Sequence, residues 1–414
     1  MTYLLYRIVT TMLAPIALLR LTTKSVKEPG YRRHLLERFG FVPKIGKENV
    51  IWIHAVSVGE IHAAKGIVEA IFNRGKFKPI ITCGTASGRL LAESLFEGLT
   101  VFYIPLDIKS AVTRFLRRTK PKKLIVMETE VWPVLFECCR KSNVEIILAN
   151  GRLSEKSHKK YQKFNPLARN TFQKINLVLA QTGQDQERFK SIGVNTVEVT
   201  GNIKFDKTPN EQELKRGVDL RRLFGVDRKV ILLASTRDGE EELILKRFLP
   251  KLDFKRALLV IVPRHPNRFS NVENLLKKMN VLFKRRSLNE TISSNCNVVL
   301  GDSMGELYGY FSAADIIFIG GSLLPYGGQN PIEAFAVGKN VIFGPSSYNF
   351  KNIYQEAVIE KIAFQIANAD ELLTLVMNET AEEGELSRPS KRAKDFVEKH
   401  RGALGKSLSH LGLN

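Results

Sequence analysis

Four cysteines in 414 residues, Cys83, Cys138, Cys139 and Cys296, include no pair at C-x-x-C spacing. That excludes a zinc-ribbon pattern and a disulfide framework, and it fits a reducing compartment. The seven histidines are scattered, with no pair at metal-ligand spacing, so no structural metal is expected. No G-x-x-x-x-G-K-S/T run is present, which disfavours a P-loop kinase or ATPase. RNP, KH, zinc-finger and helix-turn-helix signatures are also missing, so nucleic acid is not the expected partner. There is no short-period repeat and no low-complexity segment. Acid is in short supply: 42 acidic residues stand against 63 basic ones, a net charge of +21. By itself such an excess implies an anionic partner: nucleic acid, an anionic membrane face or a phosphorylated substrate.

What is present begins with an apolar N-terminus. Residues 1–21 are mostly apolar but carry Arg7, and residues 3–19 are barely long enough to span a bilayer. With no small-residue cleavage site, an uncleaved anchor is expected rather than a signal peptide. The basic residues that follow, Arg20, Lys24, Lys27, Arg32, Arg33 and Arg38, hold that side cytoplasmic and attract anionic headgroups. Spanning and lying in the interface both remain open.

From residue 50 strand-like and helix-like runs alternate. Apolar β-rich runs occupy 50–55, 79–83, 101–104, 123–127, 144–149, 177–181 and 197–200. After a polar stretch the alternation restarts at 230–234, 257–262, 281–284, 298–300, 316–320, 340–343 and 362–366. Continuous apolar strands alternating with helices predict parallel sheets covered on both faces. The fold class is therefore α/β, with two doubly wound domains. The expected divisions are a membrane anchor or interfacial helix over 1–21, an N-terminal domain over 22–206 and a linker over 207–222. A C-terminal domain follows over 223–386, then a helix and basic tail over 387–414.

Open α/β sheets bind ligands at the carboxyl edge, and several motifs fall there. His54-Ala55-Val56-Ser57-Val58-Gly59-Glu60 ends a strand and opens a helix, which places Glu60 in the first turn. Met127-Glu128-Thr129-Glu130 ends another with two carboxylates, costly at a buried edge unless paired or used. Thr200-Gly201-Asn202-Ile203-Lys204 delivers a lysine, and Asn150-Gly151-Arg152-Leu153-Ser154 reads as a capped turn into a helix. In the second half, Gly320 to Glu333 is a glycine-rich loop running into a helix near Pro331, a favoured first position. Such a loop lets a phosphate approach backbone N–H groups, and Glu333 is placed to accept from ribose hydroxyls. Arg264 and His265 lie between two prolines, and Met304, Gly305 and Glu306 follow a further strand. No histidine is placed by the sequence to activate Ser57 as a nucleophile.

Taken together, these motifs resemble the 3-deoxy-D-manno-octulosonic acid (Kdo) transferases. The matching segments are HAVSVGE (54–60), METEVWP (127–133), NGRLS (150–154), TGNIKFD (200–206), PRHPNRF (263–269), GDSMGEL (301–307) and GGSL…GGQNPIEA (320–334). They stand in family order and span nearly the whole chain. The resemblance implies a GT-B architecture of two facing Rossmann-like domains behind a short N-terminal membrane-anchor helix. It implies transfer of Kdo from CMP-Kdo to a lipid A precursor, lipid IVA, in lipopolysaccharide assembly. That transfer would occur at the cytoplasmic face of the inner membrane, with further Kdo units open.

By position in the motifs, Glu60 is implied as general base, with Glu128 and Lys204 as transition-state stabilisers that either steady the charged sugar or orient Glu60. Arg264, His265, Met304, Gly305, Glu306, Asn330, Pro331, Ile332 and Glu333 are implied as the CMP site. No metal or cofactor is expected, since CMP-Kdo is a substrate and cationic and dipolar groups are available. Gln329 and Arg237 stand where the family often has histidine, and Tyr326 and 335–337 also depart from the pattern. Two other readings stand beside this one: a different GT-B nucleotide-sugar transferase or epimerase, and, more remotely, a basic nucleic-acid-binding protein.

Overall fold

Each of the fourteen apolar runs is a β-strand, and every strand pairing is parallel. The computed structural model describes residues 2–46, 49–382 and 384–413. The chain divides into two compact units, Met1–Asp206 with Arg401–Asn414, and Lys207–His400.

The first unit holds β1 (Val50–His54), β2 (Lys78–Cys83), β3 (Thr100–Tyr103), β4 (Pro121–Met127), β5 (Glu145–Gly151), β6 (Leu177–Ala180) and β7 (Val197–Val199), in the order β3-β2-β1-β4-β5-β6-β7. Strand β1 is buried along its whole length. Its side chains alternate between two cores, Trp52 on one face of the sheet and Ile51 and Ile53 on the other. That is why the run reads as continuously apolar. The strand order reverses between β1 and β4, and this is where open sheets make their crevice. Glu60 follows β1 and Glu128 follows β4.

The second unit holds β8 (Lys229–Thr236), β9 (Ala257–Pro263), β10 (Phe283–Arg285), β11 (Val298–Leu300), β12 (Ile316–Ile319), β13 (Val341–Phe343) and β14 (Ala363–Gln365). Their order is β10-β11-β9-β8-β12-β13-β14, with the reversal between β8 and β12. The loops after β11, β9, β8 and β12 therefore lie side by side along one carboxyl edge.

Three expectations change. The segment expected as a linker over 207–222 is largely helical: Glu211–Phe224 carries a capping box at Asn210 and buries Leu220 and Phe224, and Phe224 stacks on Tyr310 at 6.4 Å. Its polar faces hid the buried stripe. The stretch expected as one tail over 387–414 is shared, because the helix Lys391–Lys399 belongs to the second unit and Ala403–His410 to the first. Arg38, expected to meet headgroups, is buried. Its guanidinium lies 4.2 Å from the Tyr103 ring centroid and donates to the Gly84 carbonyl.

The N-terminal helix Tyr3–Lys27 is long and apolar enough to cross a membrane, with a mean hydropathy of 1.6 over Tyr3–Val26. Near its start, Tyr6 donates its hydroxyl to Asp107 at 2.9 Å. Just past its end, Tyr103 donates to the Gly30 carbonyl at 2.9 Å. The first unit thus holds both ends of the helix.

Candidate functional site

In the first unit the backbone of β1 turns at Ser57 and enters the helix Val58–Asn73. Glu60, in its first turn, folds back on the turn it follows. Its Oε2 accepts the Val56 N–H at 2.8 Å and its Oε1 the Ser57 hydroxyl at 3.0 Å. The carboxyl is buried. Burial first, then the neighbouring Glu128 carboxylate, push it up to about 8, against the pull of the two hydrogen bonds. Glu128 sits at φ +55°, a left-handed conformation uncommon for a residue with a side chain and one that concentrates at functional sites. Lys204 Nζ donates to Glu128 Oε1 at 2.7 Å, so one of the two acids after β4 is paired. The other, Glu130, is raised by burial and by Glu128.

The turn carrying Lys204 is over-determined. Asn150 Oδ1 accepts the Ile203 N–H at 3.1 Å, and Asn202 Oδ1 accepts the Lys204 N–H at 3.1 Å. Asp206 accepts the Gly402 and Leu404 N–H groups, each at 2.6 Å, from the returning C-terminal segment. Asn150 is therefore a tether for the Lys204 turn, whereas capping of the next helix falls to Ser154, which accepts the Ser157 N–H. His54 is fully buried with Nδ1 bonded to Thr82, so its ring serves the sheet. The cluster offers a carboxyl that exchanges its proton near neutral pH beside a fixed ion pair, which suits general-base work.

In the second unit the carboxyl-edge loops gather most of the expected residues. Arg264, after β9, donates its backbone N–H to the Thr236 carbonyl at 3.0 Å and Nε to Gln329 Oε1 at 3.1 Å. Burial lowers its guanidinium below the usual value and Glu333 opposes this. Gln329 thus orients the arginine. Arg237 Nη1 lies 3.0 Å from His265 Nε2, and since a guanidinium only donates, that nitrogen accepts. Burial and the Arg264, Arg237 and Arg268 guanidiniums hold His265 down to about 4, hence neutral. Glu333 Oε1 accepts from Lys207 Nζ at 2.9 Å.

Other expected residues are placed differently. Pro331 precedes the short helix Ile332–Ala336 and is not its first residue. Ile332 has its side chain in the core and its N–H bonded to Asn330 Oδ1 at 3.1 Å. Glu306 accepts from the Ser303 hydroxyl and from Arg286 Nη2, while Gly305 receives Arg216 at its carbonyl. Met304 is exposed.

One residue that organises this edge was not singled out from the sequence. Glu240, fully buried in the first turn of the helix Glu240–Phe248, accepts the backbone N–H groups of Arg237, Gly321, Ser322 and Leu323 at 2.6–2.9 Å. It pins the glycine-rich loop against the end of β8. Gly320 is required there, since a Cβ would come within 2.6 Å of the Thr236 Cα. The available signal was the Gly239-Glu240 step after β8, which repeats Gly59-Glu60 after β1. Among the described residues no group of three or more His, Cys, Asp or Glu side chains is arranged to hold a metal ion.

A family model described as 3-deoxy-D-manno-octulosonic-acid transferase (kdotransferase) matches residues 33–207. The chain is 36% identical over 405 residues to the 3-deoxy-D-manno-octulosonic acid transferase of Haemophilus influenzae, covering 96% of this chain and 95% of that one. It is 34% identical over 372 residues to the transferase of the same name from Bordetella pertussis, covering 87% and 86%. Among solved structures, a glycosyltransferase from Rickettsia africae matches with a TM-score of 0.58 at 14% identity, over 88% of this chain and 98% of that one. At that identity the likeness speaks for the fold, which is GT-B.

Proposed function

Because the chain belongs to the 3-deoxy-D-manno-octulosonic acid (Kdo) transferase family, and is thus a glycosyltransferase, we propose that it moves Kdo from CMP-Kdo to a hydroxyl of a lipid A precursor, lipid IVA. The reaction is placed at the cytoplasmic face of the inner membrane, as a step of lipopolysaccharide assembly, with one or more Kdo units added. Glu60 takes the proton of the attacking hydroxyl. The observation that carries this role is its buried carboxyl, held at about 8 beside the Glu128–Lys204 pair at the strand-order reversal of its sheet. A base tuned near the working pH is the efficient one, worth about 10²–10⁴-fold in rate.

As CMP departs, positive charge grows at the anomeric carbon and negative charge on the phosphate. Arg264, oriented by Gln329, meets the phosphate, and neutral His265 buttresses the Arg237 guanidinium beside it. Met304, Gly305, Glu306 and Asn330 to Glu333 complete the donor surface, with Glu333 and Lys207 at its ribose side. Lys204 holds Glu128 in place through their ion pair, and Glu128 in turn keeps the Glu60 carboxyl basic. The proposal needs no cofactor.

The test is incubation of the purified chain with lipid IVA and either CMP-Kdo or UDP-sugars, read by mass spectrometry of the lipid. The expected product is heavier by one or more Kdo residues with CMP-Kdo alone. Turnover with UDP-sugars only would sink the assignment.

A further inference from the structure

Beside the first turns of the N-terminal helix, a recess of about 500 Å³ is lined by four cations, Arg7, Lys109, Arg114 and Arg117, with the hydroxyl residues Thr11, Ser110 and Thr113. Its size falls in the range of about 300–1,000 Å³ common for ligand sites. No acid lines it. Asp107, two residues before Lys109, is turned inward and spends its oxygens on Tyr6 and on the Val134 and Leu135 N–H groups. Among the described residues none of the four cations has a carboxylate partner. Arg114 is held in place without being neutralised: its Nη1 donates to the Phe39 carbonyl, and its guanidinium lies 3.9 Å from the Phe41 ring centroid. Four unpaired cations in one concavity repel one another and favour an anion there.

What surrounds the recess selects the anion. Leu4, Leu5, Ile8, Val9, Met12 and Leu13 of the same helix are exposed, on faces adjoining Arg7 and Thr11. Both ends of that helix are bonded to one unit, through Tyr6 to Asp107 and through Gly30 to Tyr103. A helix crossing a bilayer ends in opposite compartments, whereas one tied down at both ends lies in the interface with its apolar face in the acyl boundary. Arg7 then sits at headgroup depth beside the other three cations.

We propose that this recess binds the phosphate of an anionic membrane lipid, and so clamps the N-terminal helix flat on the bilayer surface. The inference rests on the membrane-surface reading above and not on the chemistry of transfer.

The test uses the full chain and no sugar donor. Partition is measured onto phosphatidylcholine vesicles with and without phosphatidic acid, for the unaltered protein, for K109Q/R117Q, and for K251Q/K255Q, which removes the same charge from the second unit. The unaltered chain should prefer the phosphatidic acid vesicles. At about 5-fold per cation near an anionic surface, K109Q/R117Q should lose about 25-fold of that preference. It should keep its circular dichroism and its binding to neutral vesicles, and K251Q/K255Q should keep the preference. An equal fall in both variants, or a preference that survives in K109Q/R117Q, overturns the site. Thermal stabilisation by inorganic phosphate that depends on Lys109 and Arg117, with no lipid preference, would make it a free-anion site and overturn the lipid assignment. A chain that ignores every vesicle, neutral ones included, removes the membrane reading as well, whereas equal binding to both vesicle types removes the recess alone.

Discussion

Replacing Glu60 by Gln tests the buried carboxyl in two independent ways. Lifting its pKa from 4.5 to about 8 means that ionising it in the folded chain costs more than in the unfolded one. At about 1.4 kcal/mol per pH unit, the full difference is about 5 kcal/mol. The sign follows from proton counting. Between 4.5 and about 8 the folded state holds a proton that the unfolded state has released, so this group's contribution to stability falls as pH rises through that window and is level outside it. Glutamine does not titrate, and it keeps the shape: its amide oxygen takes the Val56 N–H while its NH₂ turns to the Ser57 oxygen.

The stability of Glu60→Gln relative to the unaltered protein should therefore grow by up to about 1.4 kcal/mol for each pH unit from 5 to 8. Urea unfolding followed by tryptophan fluorescence measures it, because Trp52 and Trp132, both tryptophans of the chain, report on the unit that holds Glu60. Contributions from His54 and other groups common to both proteins cancel in the difference. In the same preparation, transfer should fall by about 10²-fold or more, and kcat/KM of the unaltered enzyme should climb with pH through about 8. Parallel stability profiles across pH 5–8, or near-normal turnover by Glu60→Gln, would refute the reasoning.

Arg264→Ala should weaken CMP binding about 10- to 100-fold by calorimetry, as expected for loss of a charged hydrogen-bond donor, and unchanged affinity would remove Arg264 from the donor site. Glu240→Ala leaves four backbone N–H groups without their acceptor. It should destabilise the second unit by about 3 kcal/mol or more and open residues 320–323 to protease, so that an unaltered proteolysis pattern would contradict the pinning role. Exhaustive chelation should leave turnover as it was, and activity lost to a chelator and restored by a divalent cation would overturn the metal-free reading.

The parallel sheets were legible because strands buried on both faces carry a signal in every residue, as Ile51, Trp52 and Ile53 do. Glu211–Phe224 was not, since a charged helix with a narrow buried stripe looks locally like a connection. Glu60, Glu128 and Lys204 could be picked out because each ends a strand at the carboxyl edge, but the Glu128–Lys204 pairing spans 76 positions and only the folded sheet makes it. The role of Glu240 depends on three N–H groups more than 80 residues away. Locally, only the Gly239-Glu240 step sets it apart from an acid that merely favours a helix start.

The Gly-Glu step that follows the first strand of each sheet has a consequence in acceptor capacity. A carboxylate offers about four lone-pair directions. Glu240 has all four met by backbone donors, whereas Glu60, at the matching point of the other sheet, meets two. The same two-residue phrase thus yields a saturated acid that holds a loop still and an unsaturated one with room left for a proton. How many donors the surrounding loops bring, and not the motif itself, sets which of the two an acid becomes.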